Sequence, residues 1–257
     1  MLRKNSPIPR YVQLAETLRE QIRQGRLRPG QQLPPERELS ERYDISRMTV
    51  RQAIQALARD GVLIVEHGLG TFVAGPKLRR DPAHILGFTE EMERQGTAVT
   101  SRVIEQARAV VTARVAEALH LADSARVVRI VRLRLAGGAP FLLETVHLPA
   151  ALVPGLERVD LTRKSLYAVL EHDYGLRLDR ADQGLEFTSA RDHEAALLEV
   201  VPGAALALLE GVTVLDDGRP IEAFTALYRA DRFRFEWASE RQTSAEAVAR
   251  IGVVLTR

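Results

Sequence analysis

The sequence predicts an α+β protein in two unequal parts: a small helical module closed by a β-hairpin, then a larger module built on a largely antiparallel sheet. Three observations predict it. Apolar residues follow a helical period through the first sixty positions, then give way to two short strands. A stretch with Pro76, Pro82 and three basic residues breaks the pattern. Beyond it, short helices alternate with long strand-like runs and glycine turns. A chain of 257 residues with 46% hydrophobic content has enough apolar surface for two cores.

Within the first module, residues 11–24 place Leu14, Ala15, Leu18 and Ile22 on one helical face, and Gly25 ends the run. A second helix is expected from Pro35, where proline's fixed φ suits the first helical position, to about Tyr43, burying Leu39. The turn Asp44-Ile45-Ser46 leads to a third helix over 47–60, with Ser46 typed as its N-cap and Gly61 as its stop. Strands at 62–66 and 71–74 flank His67-Gly68-Leu69-Gly70. Together these form a winged helix-turn-helix over 1–75. Residues 76–82 read as a linker, 83–237 as the second domain, and 238–257 as a tail with no clear assignment.

The second domain is expected to hold a helix at 89–95 and strands at 101–111 and 126–136. Residues 140–148 pair with the latter across Gly137-Gly138. A helix at 166–174, a strand at 181–189 and a short helix at 192–198 follow. A hairpin of 204–215 with 221–229 turns at Asp217-Gly218.

Composition excludes several classes. No cysteine is present, so disulfides, thiolate nucleophiles and cysteine metal sites are ruled out, and a reducing, cytoplasmic setting is expected. The N-terminal residues carry charge with no apolar stretch behind them, unlike a secretory signal, and no run is long enough to span a membrane. The six histidines show no metal-ligand spacing and no nucleophile motif appears, so no metal, cofactor or catalytic residue is expected. Charge is asymmetric: residues 1–80 carry a formal +7 and the remainder −5. A basic module joined to an acidic one fits a part that meets polyphosphate and a part that does not, although uneven solvated surface gives the same numbers.

On the third helix, Val50, Ala53, Ile54 and Leu57 fall on one side, and Arg47, Met48, Arg51, Gln52 and Gln55 on the other. A solvated face is the plain reading of the second group. It carries no acidic residue, however, and Arg and Gln are the side chains whose donor forks match guanine and adenine edges in the major groove. Ser46 and Thr49 suit phosphate oxygens, and Arg37 reaches backbone or base from the preceding helix. The glycine turn at 67–70 permits close approach to a sugar-phosphate wall.

Leu33-Pro34-Pro35-Glu36-Arg37-Glu38-Leu39, Ile45-Ser46-Arg47-Met48-Thr49-Val50-Arg51-Gln52-Ala53, Gly61-Val62-Leu63 and His67-Gly68-Leu69-Gly70-Thr71-Phe72-Val73 resemble the GntR family of bacterial regulators. Pro35 stands where most members have serine, which removes a side-chain cap. The resemblance implies DNA contacts at Arg37, Arg47, Thr49, Arg51, His67 and Gly68. It also implies a homodimer on near-palindromic double-stranded DNA, one recognition helix per half-site.

In the second domain, Val128, Ile130, Arg132 and Arg134 share one face of a strand whose other face is also apolar. Two arginines buried there need internal carboxylates, for which Glu144, Glu222 and Glu186 are available, or a bound anion. Ser165-Leu166-Tyr167 and Phe88-Thr89-Glu90 each start a helix whose free N–H groups favour an anion. Glu222 and Tyr228 share a hairpin face and suit sugar hydroxyls or an amide. A two-residue turn after Ala136 would set Glu144 on the face opposite Arg132, and a three-residue loop would align them.

Val131-Arg132-Leu133-Arg134, Glu144, Leu148-Pro149, Pro154-Gly155-Leu156, Ser165-Leu166-Tyr167, the run from Asp217 to Glu222, and the run from Tyr228 to Phe233 resemble the UTRA domain. That domain is the effector module of the HutC subfamily of GntR regulators and has a chorismate-lyase-like fold. In relatives that sense amino-sugar phosphates, equivalents of Phe88, Thr89, Arg132, Arg134, Glu144, Ser165, Tyr167, Glu222 and Tyr228 surround the ligand. The resemblance therefore implies a repressor that responds to a small anionic effector, a phosphorylated sugar such as N-acetylglucosamine-6-phosphate, with urocanate or another organic anion as the alternative. An enzyme of the same fold and an architectural DNA-binder are the competing readings, since fold alone does not carry function.

Overall fold

The computed structural model describes residues 2, 6–66, 68–75, 77–81 and 87–236. His67, Pro76, Pro82 and the 238–257 tail, all named above, lie outside the described residues.

Three helices build the first domain. Leu14, Ala15 and Leu18 point inward from α1 (Arg10–Arg23), Leu39 from α2 (Glu36–Tyr43), and Val50, Ala53, Ile54 and Leu57 from α3 (Arg47–Arg59). Pro35 occupies the cap position of α2 rather than its first turn, one residue earlier than expected, and no side chain caps that end. The α2–α3 turn closes on Asp44, whose φ of 51° is left-handed, while Ser40 Oγ donates to the Ile45 carbonyl at 2.6 Å. Arg10 Nη1 donates to the Asp44 carbonyl at 2.8 Å, tying α1 to that turn. The wing is an antiparallel pair, β1 (Leu63–Glu66) and β2 (Gly70–Val73). Gln32 bridges to Phe72, and its amide donates to the Leu69 carbonyl at 2.8 Å, bracing the tip.

The second domain contains β3 (Leu78–Arg80), α4 (Phe88–Arg94), β4 (Val99–Val110), α5 (Ala113–Ala118), β5 (Arg126–Ala136) and β6 (Ala139–Pro149). It continues with α6 (Leu166–His172), β7 (Leu178–Ser189), α7 (Asp192–Leu198), β8 (Ala205–Leu215), β9 (Pro220–Arg229) and β10 (Phe233–Phe235). Six strands form one antiparallel sheet in the order β4-β5-β6-β9-β8-β7. The linker reading of 76–82 needs qualification, because part of that stretch is β3, paired parallel with β10. Lys77 Nζ donates to the Ala230 carbonyl at 2.7 Å at the same seam.

Alternation divides the sheet into two apolar faces, each covered. On one, α6 packs Leu166, Val169 and Leu170 over Val128, Ile130, Val146 and Leu148, and Met92 of α4 joins Phe141, Leu142, Tyr228 and Phe233. On the other, α7 packs Ala195 and Leu198 over Val131, Leu133 and Leu143, and α5 sets Ala116 against Val127 and Ala223. The two domains touch at Gly61, just past α3: a Cβ there would strike the Asp231 carbonyl oxygen and lie 2.8 Å from its Cα.

Candidate nucleic-acid interface and ligand cavity

α3 turns Arg47, Met48, Arg51, Gln52 and Gln55 outward, opposite its buried stripe. Ser46 caps it, with Oγ accepting from the Thr49 amide at 3.1 Å and lying 2.8 Å from Thr49 Oγ1, so both hydroxyls sit at the helix start. Gly68 is exposed at the wing tip. The three arginines differ in their surroundings. Arg47 has no partner among the described residues, and Arg37 donates to Glu41 along its own helix at 2.9 Å. Arg51 is held by Glu36 of α2 through two bonds, Nε to Oε1 at 3.1 Å and Nη2 to Oε2 at 2.8 Å. The Glu36 carboxylate raises the Arg51 pKa, first through that hydrogen bond and then through its charge. Periodicity finds the outward face of α3 but is blind to Glu36, which reaches it from another helix.

In the second domain, the apolar strands carry a cavity of about 540 Å³, mouth included, between the starts of α4 and α6. Phe88, Thr89, Arg132, Arg134, Glu144, Ser165, Tyr167, Glu222 and Tyr228 all line it. The helix starts meet there: a Cβ on Gly87, the cap of α4, would lie 2.9 Å from Ser165 Oγ, the cap of α6.

The register that aligns Glu144 follows neither route weighed from the sequence. The β5–β6 turn has two residues, Gly137 and Gly138, both with positive φ, as a tight hairpin requires. A bulge then intervenes, because Leu135 faces Pro140 while Arg134 faces Leu142, leaving Phe141 over. That one extra residue shifts the register and sets Glu144 directly opposite Arg132.

The arginines are buried, with Arg132 and Arg134 each 2% exposed. Both turn to one carboxylate oxygen: Arg132 Nε lies 2.7 Å and Arg134 Nη1 3.2 Å from Glu144 Oε1. Arg134 Nη2 also donates to Thr89 Oγ1 at 2.6 Å, and its guanidinium stacks 5.0 Å from the Phe88 ring centroid. Arg132 Nη1 and Arg134 Nε are buried without a hydrogen-bond partner among the described residues. Burial lowers the pKa of Arg132, opposed by the charge of Glu144 and assisted by that of Arg134. Burial disfavours charge on Glu144 too, but the two guanidinium groups outweigh it and hold the carboxyl below its usual range.

Glu222 forms a second polar centre. Its Oε2 accepts from Tyr167 Oη and from Thr213 Oγ1, each at 2.7 Å. Burial pushes the Glu222 pKa up, and those two hydrogen bonds only partly oppose it. Burial likewise raises the Tyr228 phenol to about 12, against the pull of Arg80. The cavity thus has a cationic end with spare donors and a carboxyl end that accepts. Glu186, weighed as an internal partner, is exposed on edge strand β7.

Residues 10–73 match the model of bacterial regulatory proteins of the gntR family, and residues 94–234 match the UTRA domain. The chain is 36% identical over 234 residues to the HTH-type transcriptional repressor NagR of Bacillus subtilis, covering 91% of this chain and 96% of that protein. The chain belongs to the GntR family. Its UTRA module puts it in the HutC subfamily. This GntR protein is also 28% identical to a probable fructoselysine utilization operon transcriptional repressor of Escherichia coli, across 86% of this chain and 91% of that one. Its structure resembles that of PhnF from Mycobacterium smegmatis, with a TM-score of 0.63 at 29% identity over 90% of this chain and 99% of the other. It is a ligand-responsive, DNA-binding transcriptional regulator and not an enzyme. No helix among its described residues is long and apolar enough to cross a membrane.

Sequence reading of this GntR chain missed part of the cavity wall. Val146, Phe224 and Ala226 line it and were findable, since they share strand faces with Glu144 and Glu222. Arg80 also lines it, paired with Glu91, and nothing in the linker-like stretch around it signalled that role.

Proposed function

We propose that this protein represses transcription as a homodimer on a near-palindromic operator and releases it when a phosphorylated amino sugar, N-acetylglucosamine-6-phosphate, fills the second-domain cavity. In this reading Arg47, Arg51 and Gln52 of α3 read base edges in the major groove. Arg37, Ser46, Thr49, His67 and Gly68 hold the flanking sugar-phosphate walls. Arg132 and Arg134 take the phosphate, with Thr89 and Ser165 at the rim. Glu222, Tyr167 and Tyr228 take the sugar, and Phe88 closes over it.

One observation carries the ligand assignment: two buried guanidinium groups share a single carboxylate oxygen and leave buried N–H donors unspent. Buried guanidinium N–H groups left without partners are costly, and a phosphate satisfies them with charge-assisted bonds. The carboxyl at the other end suits a hydroxyl or amide N–H, which inorganic phosphate lacks.

The test is titration of operator-bound protein with N-acetylglucosamine-6-phosphate, the unphosphorylated sugar, inorganic phosphate and urocanate in parallel. The sugar phosphate should dissociate the complex and raise the melting temperature, while the sugar and phosphate alone do neither. Arg132→Met should still bind operator and ignore the sugar phosphate. Release by urocanate instead would replace the sugar-phosphate reading with an organic-acid one.

A further inference from the structure

We propose that Glu36 is a specificity-determining positioning residue: its carboxylate clamps one side of the Arg51 guanidinium and so aims the opposite fork at a guanine edge. The inference rests on the reading of α3 as the helix that enters the major groove.

The geometry supplies the argument. A guanidinium carries five N–H bonds in one plane. Glu36 engages the Nε side, with Arg51 Nε on Oε1 at 3.1 Å and Nη2 on Oε2 at 2.8 Å. Two Nη1–H bonds and one Nη2–H bond remain, and the end-on pair they form matches the O6 and N7 acceptors of guanine. The clamp comes from a different helix, fifteen residues away in sequence. Arg37, by contrast, is held at a single nitrogen by a neighbour one turn along its own helix.

An exposed ion pair adds little to stability, and this one is exposed, the Arg51 side chain to 55% and that of Glu36 to 33%. Its consequence is orientation. A long side chain held in one plane before DNA arrives loses less freedom on binding, and a bidentate fork that arrives pre-aimed discriminates bases better than a mobile one. The carboxylate also adds negative charge beside the outward face of α3, so it weakens attachment to DNA of any sequence. Glu36 therefore lowers indiscriminate affinity and raises the ratio of specific to non-specific binding.

The experiment selects binding sites for the full-length protein from a random-sequence duplex library, then titrates the selected duplex and a scrambled one. Arg51→Ala should lose a guanine preference at one position of each half-site. Glu36→Ala should weaken discrimination at that same position about tenfold, while binding the scrambled duplex more tightly than the parent does. The double variant should lose no more than Arg51→Ala alone, and Glu36→Asp should restore part of the preference. Glu36→Gln, similar in shape but uncharged, replaces Glu36→Ala if circular dichroism shows that variant unfolded. Parent-level discrimination in the Glu36 variants, or a changed preference at a different base pair, overturns the inference while leaving α3 as the reading helix. An Arg51→Ala protein with unaltered preference overturns both.

Discussion

At the scale of single residues, the two carboxyl groups of the cavity behave in opposite ways because their neighbours differ. Glu144 lies against two guanidinium groups and has a lowered pKa; Glu222 lies against hydroxyls in a buried site and has a raised one. Their contributions to stability therefore run oppositely with pH. The Glu144 contribution is present above the ordinary carboxylate pKa and lost as pH falls through its depressed value. Folded Glu222 holds its proton more tightly than the unfolded chain does. Its contribution is full below the ordinary carboxylate pKa and lost as pH rises through the raised one. Replacing Glu222 with Gln should remove that loss, so thermal melts run from acid to neutral pH should show the variant gaining on the parent as pH rises. Parallel melting curves would mean that Glu222 takes up its proton equally readily in the folded and unfolded chain. Glu222 and its partners Thr213 and Tyr167 also mark a limit of sequence reading. The Glu222–Tyr228 face follows from alternation, but the Thr213 bond requires β8 to lie beside β9 in one register.

At the scale of elements, α3 owes its start to Ser46, which satisfies an otherwise unpaired amide at Thr49. Ser46→Ala should cost about 1 kcal/mol of local stability, read as a roughly fivefold loss of hydrogen-exchange protection in the first turn of α3. Unchanged protection would mean that packing of Val50 and Leu57 alone sets the helix start. α3 was legible because one element holds both its signals, a typed cap and a four-residue apolar stripe. α5 and β10 were not: α5 is six residues long and β10 three, too short for a period to register. Strand β3 hid in a stretch whose proline and basic residues read as linker, because its partner β10 lies some 150 positions away. The β5–β6 bulge at Phe141 was equally hidden. Its turn residues announce a tight hairpin, whereas the extra residue is set by packing, with the Phe141 ring stacked 5.1 Å from that of Phe88.

At the scale of the molecule, the two domains meet where the cavity wall runs out. Tyr228 lines the cavity, and the adjoining Arg229 is pinned by the Asp231 carboxylate and by the carbonyls of Pro140 and Leu198. The Asp231 backbone then rests on Gly61 at the end of α3. No side chain fits there, and the φ of +69° disfavours one in any case. Gly61→Ala should cost about 1–2 kcal/mol from the left-handed backbone alone and push the Asp231 turn away. The expected protein keeps ligand-induced thermal stabilisation, because the cavity is untouched, but ligand no longer changes its affinity for DNA. Normal release in that variant would show that coupling runs through another route.

By itself, the sequence determined two domains, the winged helix, the outward face of α3 and nine of the residues that line the cavity. These rest on periods, caps and motifs contained within single segments, or on a family pattern that spans them. Only the tertiary structure decided that Arg51 is clamped by Glu36, that Arg132 faces Glu144 across a bulged hairpin, and that Gly61 carries the Asp231 turn. Each of these joins residues from different elements. Their distances follow from how whole layers pack and register, which the local order of side chains along one strand or helix does not contain.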